Sequence, residues 1–194
     1  LTDGEAWVAL KSDVLTGTAK SVTWTDPSDG SSLDWCQYMD FVVVWFGRNN
    51  ATSGGSYFKI AVNAEATGTM NYQELVTEGT TGASSYAYTG YTNSVSVPRM
   101  AGDIAGVNTA SFAAGVVTMF DVNSGKWVEW FGQGGWRSGT TTADQSKITL
   151  IGVTYAVGEP VYQIIVRQNP ALAGTPFIAG CRFDLFGILP RMVS

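Results

Sequence analysis

A chain of 194 residues with 45% hydrophobic and only 14% charged residues, 23 glycines, 12% aromatics and no histidine is long enough to bury one sizeable core without staples. The missing imidazole excludes Ser-His-Asp triads, Cys-His pairs and His-ligated zinc. A net charge of -5, with 11 basic residues scattered singly, excludes the clustered cations that nucleic acid requires.

Few charges together with many β-branched, aromatic and turn residues favour sheet over helix. Residues 1–18 are read as an N-terminal arm or attachment segment, and 19–194 as one β-sandwich domain. The opening "LTDGEAWVAL" has neither a basic n-region nor an apolar h-region, and no stretch reaches the roughly 20 apolar residues of a membrane span, so no membrane insertion is expected. A first strand is predicted over Ala19–Trp24. The acidic link that follows, "DPSDGSSLDW" with Asp26, Asp29 and Asp34, lacks the alternation and closing Glu of a calcium loop and is read as turn and capping chemistry.

The next strand, Gln37–Gly47, contains "FVVVWF", which is continuous rather than alternating. Such a run marks a central strand covered on both faces, or one that gives a face to an oligomer or platform, with Val42, Val44, Trp45 and Phe46 as its residues. Ser56–Asn63 is a further strand. "NAT" at 50–52 matches a glycosylation acceptor by chance composition, and the glycine pairs at 54–55 and 134–135 read as turns without phosphate-binding company. Residues 64–108 are poor in strand signals and are expected to hold long surface loops. A helix is credible only over Met70–Gly79, where Tyr72, Leu75 and Val76 have helical spacing, with a loop as the competing reading.

Strands are predicted over Ser84–Tyr91, Ala110–Val122, Lys126–Gly135, Lys147–Val157, Val161–Gln168 and Phe177–Ile188. "TMFDVNSGKWVEW" and the stretch around "NPALAGTPF" read as hairpins. Side chains alternate along a strand, so Trp127, Glu129 and Phe131 share one face. By the same rule Cys181, Phe183 and Leu185 share a face of the last strand, and Arg182, Asp184 and Phe186 take the other. About eight or nine strands joined by Gly, Pro, Asn and Ser make an all-β, jelly-roll-like antiparallel sandwich. Cys36 and Cys181 form no framework and are read as two buried free thiols, pairing being the alternative.

Taken in order, these segments resemble tailed-bacteriophage virion structural proteins, particularly those of marine phages. The likeness rests on "VTWTDPSDGSSLDWCQYMDFVVVWFG" (22–47), "SYFKIAVN" (56–63), "FAAGVVTMFDVNSGKWVEWFGQGG" (112–135) and the closing "YQIIVRQNPALAGTPFIAGCRFDLFGI" (162–188), where Phe186 stands at a position usually taken by Tyr. The resemblance implies a single jelly-roll-like sandwich serving as a capsid decoration, head fibre or tail fibre part. It further implies a homotrimer or other symmetric oligomer, capsid or tail proteins as partners, assembly in the bacterial cytoplasm into the virion, and no catalytic residue, cofactor or metal.

Aromatic side chains supply the other candidate chemistry. Trp136 beside Arg137 on the glycine-rich "GQGGWRSG", together with Trp127 and the tyrosines Tyr86, Tyr88 and Tyr91 of "YAYTGY", suits either sugar stacking or a subunit interface. A carbohydrate-binding receptor-recognition domain directed at host surface glycans is therefore the alternative to a purely structural role. A paired-carboxylate hydrolase is disfavoured because no pair among 16 acids stands out by spacing.

Overall fold

The computed structural model describes residues 7–28, 30, 33–50, 58–63, 69–78, 82–92, 95–96, 112–138, 145–156, 158–168 and 176–189. Within them lie twelve strands: β1 (Trp7–Val14), β2 (Ser21–Thr25), β3 (Asp40–Gly47), β4 (Phe58–Val62), β5 (Thr69–Glu78), β6 (Gly82–Thr92), β7 (Val95–Ser96), β8 (Ala113–Phe120), β9 (Val128–Ser138), β10 (Gln145–Tyr155), β11 (Gln163–Gln168) and β12 (Arg182–Ile188). One short 3-10 turn, Trp35–Gln37, precedes β3. Among the described residues no helix is long and apolar enough to cross a membrane.

The strands form a sheet of eight in the order β1-β12-β3-β8-β9-β10-β5-β6 and a sheet of four in the order β2-β11-β4-β7. The first four of the large sheet, together with the small sheet, have the connectivity of an eight-stranded jelly roll built from two Greek keys. The other four strands are two hairpin-like insertions. β5–β6 enters between β4 and β7, β9–β10 enters between β8 and β11, and both prolong the large sheet beyond β8.

Alternation explains the core. Phe41, Val43 and Trp45 of β3, Val117 and Met119 of β8, and Phe183 and Leu185 of β12 pack against Val22 and Trp24 of β2, Ile60 and Val62 of β4, and Ile164 and Val166 of β11. The sheets are also tied by polar groups. The Trp24 indole of β2 donates to Asp13 of β1 at 2.6 Å, and within the small sheet buried Asn63 at the end of β4 accepts from the backbone N–H of Tyr162 at 2.9 Å while donating to the Pro160 carbonyl at 2.9 Å. Trp45 fits because its neighbour on β8 is Gly115: a Cβ there would stand 2.4 Å from the indole.

Several expectations change. The segment expected to hold long loops, 64–108, carries β5, β6 and β7, although 97–111 lie outside the described residues. The helix expected over Met70–Gly79 is strand β5, paired on both sides with β10 and β6. Its inward face reads Met70, Tyr72, Glu74, Val76, and the acid in the third place hid the alternation. The predicted arm, 1–18, contributes β1, which pairs with β12 along Trp7–Val14 through a register shift at Ala9/Lys11 that broke the sequence pattern. The hairpin around "VNSGK" is present, with Asp121 and Gly125 at positive φ. The strands on either side of "NPALAGTPF" form no hairpin, since β11 belongs to the small sheet and β12 to the large; residues 169–175 themselves lie outside the described residues. Both cysteines are free, but Cys36 is exposed and only Cys181 is buried.

Candidate functional site

The functional surface follows from the register of the large sheet. On its outer face, one row of residues runs Phe46–Ala114–Gly135–Ile148 across β3, β8, β9 and β10, and the next runs Val44–Val116–Gln133–Leu150–Leu75 as far as β5. Phe46 is 46% exposed and Val44 36%, and Ile148 and Leu75 are exposed as well. A depression of about 380 Å³ lined by Ala114, Val116, Gln133 and Ile148 lies within this band. At about 4.8 Å per strand, the band runs about 19 Å across five strands. It is a largely apolar stripe, interrupted by Gln133, of the kind that marks an interaction surface.

Beside the stripe the sheet is notched. The third row is Phe131–Gly152–Gln73–Ala87 and the fourth is Glu129–Thr154–Asn71. Gly152 has nothing within 4 Å of where a Cβ would stand, so the row dips between the Phe131 ring and the Gln73 amide. Two grooves meet at Gly152, one of about 310 Å³ reaching Glu129, Thr154 and Asn71 and one of about 470 Å³ reaching Leu75, Leu150, Phe131 and Tyr86. The Thr154 hydroxyl donates to Glu129 Oε2 at 2.9 Å, which fixes the carboxylate at the rim.

The residues singled out from sequence are dispersed by this geometry. Trp127 is exposed at the entrance to β9, while Trp136 and Arg137 lie near its other end, paired with Lys147 and Ser146. Nine residues of strand, about 30 Å, separate the two tryptophans, so they form no common site. Trp136 is thus on a strand and not on a loop, because Gly134 pairs with Gly115 beneath the Trp45 indole and the Gly-Gly pair continues the sheet. Tyr86, Tyr88 and Tyr91 all fall on β6, opposite Glu74, Tyr72 and Met70. Of these only Tyr86 has a described side chain; paired with Glu74, it shares that residue's face of the sheet and borders the larger groove at the β6 edge, while Ala87 takes the Gln73 face. In the proposed oligomer face, Val44 and Phe46 do point outward, but Trp45 is 1% exposed in the core and Val42 is buried, so half of that face is lost to packing.

The acidic link behaves as read. Asp26 accepts from the N–H groups of Ser28 and Trp35, and Asp34 from those of Gly30 and Cys36, while Asp29 lies outside the described residues. A hydrogen bond from the Cys36 thiol, then those backbone donors, hold the Asp34 carboxyl below its usual range, and the same contact raises the thiol. Among the described residues no group of three or more His, Cys, Asp or Glu side chains is placed to hold a metal. Glu129 and Phe131 were legible as sharing a strand face. Gln73, Gly152 and Thr154 carry no local signal, since only the pairing of β5, β10 and β9 assembles them.

No protein-family model matches the chain, and no curated protein matches it. Among solved structures the chain is similar to the CBM2 module of Lactobacillus casei BL23 phage J-1 evolved Dit, at 11% identity over 89% of this chain and 70% of that one, with a TM-score of 0.19. A superposition that poor carries no argument about either fold or function.

Proposed function

We propose that the chain is a non-enzymatic structural subunit of a bacteriophage virion, a surface β-sandwich of the decoration or fibre kind that works through contacts with copies of itself and with capsid or tail proteins. The phage assignment rests on the sequence resemblance. The contact mode is supported by one observation, the apolar stripe of Phe46, Val44, Val116, Ile148 and Leu75 on the outer face of the large sheet. A jelly roll already has its core between the two sheets, and although Phe46 stacks on Phe112 at 4.7 Å within the monomer, the exposed apolar surface of the stripe is left uncovered by the chain itself. Free energy is gained when a second surface covers it.

Native mass spectrometry of the purified chain tests the reading. A symmetric oligomer is expected, and Val44→Glu with Ile148→Glu, both at exposed positions, is expected to yield a folded monomer. A wild-type chain that stays monomeric at high concentration and shows no affinity for capsids or tails overturns it.

A further inference from the structure

We infer that the notch over Gly152 is a binding site for a neutral pyranose unit of an oligosaccharide. Four strands place unlike side chains around a gap there, and Gly152, Phe131 and Gln73 are not among the residues of the assembly stripe. Phe131 and Gln73 stand two strand spacings apart, about 9.6 Å, with only the bare backbone of Gly152 between them. One wall is therefore an aromatic ring, 48% exposed, and the other a planar amide that both donates and accepts. The row on one side is polar, Glu129–Thr154–Asn71, and the row on the other carries Leu150 and Leu75.

A pyranose has the matching asymmetry. Its axial C–H face packs on an aromatic ring, while its equatorial hydroxyls project around the edge and need acceptors and donors in a rim. Glu129, held by Thr154, offers a charge-assisted acceptor to one of those hydroxyls. The two grooves of about 310 and 470 Å³ fall in the range of small-molecule sites. From β9 to β6 the groove crosses three strand spacings, about 14 Å, longer than one sugar ring, so a chain of sugars fits better than a monosaccharide.

Charge selects the class. Among the described residues no Lys or Arg lines either groove, and Glu129 stands at the rim, so carboxylated sugars meet repulsion without a counter-cation there. The site is also one for binding and not for cleavage. Glu74, the other acid lining the grooves, belongs to the inward row of β5 and is buried, so no second carboxylate faces Glu129 across the notch among the described residues.

The test is a glycan array of neutral oligosaccharides built on glucose, galactose, mannose and N-acetylglucosamine, with sialylated and uronic-acid counterparts, followed by calorimetry on the best binder. Wild-type chain is expected to bind neutral glycans in preference to acidic ones. Gly152→Val, which fills an open position, and Phe131→Ala are each expected to weaken binding by about tenfold or more, with the melting temperature of Gly152→Val unchanged. The stripe variant Val44→Glu/Ile148→Glu is expected to bind as wild type whatever its oligomeric state, which separates this inference from the assembly reading. No binding anywhere on the array, a preference for acidic glycans, or affinity unaltered in Gly152→Val overturns it.

Discussion

At the scale of single residues, the core tolerates polar atoms where each has a partner and is vulnerable where one does not. Asn63 occupies a left-handed conformation and spends its amide on four contacts, to Glu159, Pro160, Tyr162 and Gln163. Tyr155 is the opposite case. Its ring is fully buried and its hydroxyl has no hydrogen-bond partner among the described residues. Desolvation, then the nearby charges of Glu159 and Tyr162, pushes its pKa up to about 12. A phenol in the unfolded chain ionises near pH 10, about two units earlier. Burying it neutral is therefore fully compatible with stability below pH 10, and stability falls as pH rises from about 10 to about 12. Tyr155→Phe keeps the ring and removes the unsatisfied oxygen. It is expected to be neutral or stabilising by up to about 1 kcal/mol at pH 7, with a growing advantage over wild type between pH 10 and 12. Urea unfolding at both ends of that range checks this, and a clear loss of stability at pH 7 would show that the hydroxyl has a partner.

At the scale of elements, the glycines divide into two kinds that only pairing distinguishes. Gly115 sits under Trp45 and Gly187 under Tyr38, each with a ring atom 2.4 Å from where a Cβ would be. Gly152 faces open space. Gly115→Ala and Gly187→Ala are expected to cost about 1–3 kcal/mol or more through forced displacement of a large ring, while Gly152→Ala stays within about 0.5 kcal/mol of wild type. Thermal melts of the three variants decide it, and equal effects would refute the placement of the two rings. The same contrast explains what was legible. The β3 run, the β8–β9 turn at "VNSGK" and the faces of β12 are local patterns, read correctly from period and turn chemistry. β5 was missed because Glu74 interrupts its inward face, and β1 because a bulge interrupts its alternation. Gly134 and Gly135 looked like a turn because glycine in a strand is written the same way as glycine in a loop. The notch shares that limit: Phe131 and Glu129 were visible as neighbours on one strand, whereas Gln73 and Gly152 join them only through sheet order.

At the scale of the whole molecule, the first and last described strands pair side by side, β1 lying along β12 at the edge of the large sheet with Trp7 opposite Ile188. The large sheet therefore depends on contacts between residues far apart in sequence, such as the Ser12 hydroxyl to Asp184 at 2.6 Å across a separation of 172 residues. That bond joins the edge strand to its neighbour, and Asp184 is itself held on β12 by the Arg182 guanidinium at 2.7 Å. A merely appended arm and an integral edge strand make opposite predictions for removal of residues 1–14. An arm would leave stability unchanged. The observed strand supplies Leu10 to the core, Asp13 to the Trp24 indole and Ser12 to Asp184, and it covers one backbone edge of β12. Losing one buried leucine costs about 2–5 kcal/mol, and each broken hydrogen bond that strands a buried partner adds about 1 kcal/mol or more. Truncation is thus expected to lower the denaturation free energy by about 3 kcal/mol at least. It also uncovers a β12 edge bearing Phe183, Leu185 and Phe186, which invites pairing between chains. Chemical denaturation read alongside light scattering separates the two accounts. Reduced stability with aggregation supports β1 as an integral edge strand, and an unchanged midpoint in a monodisperse sample returns residues 1–14 to the status of an arm.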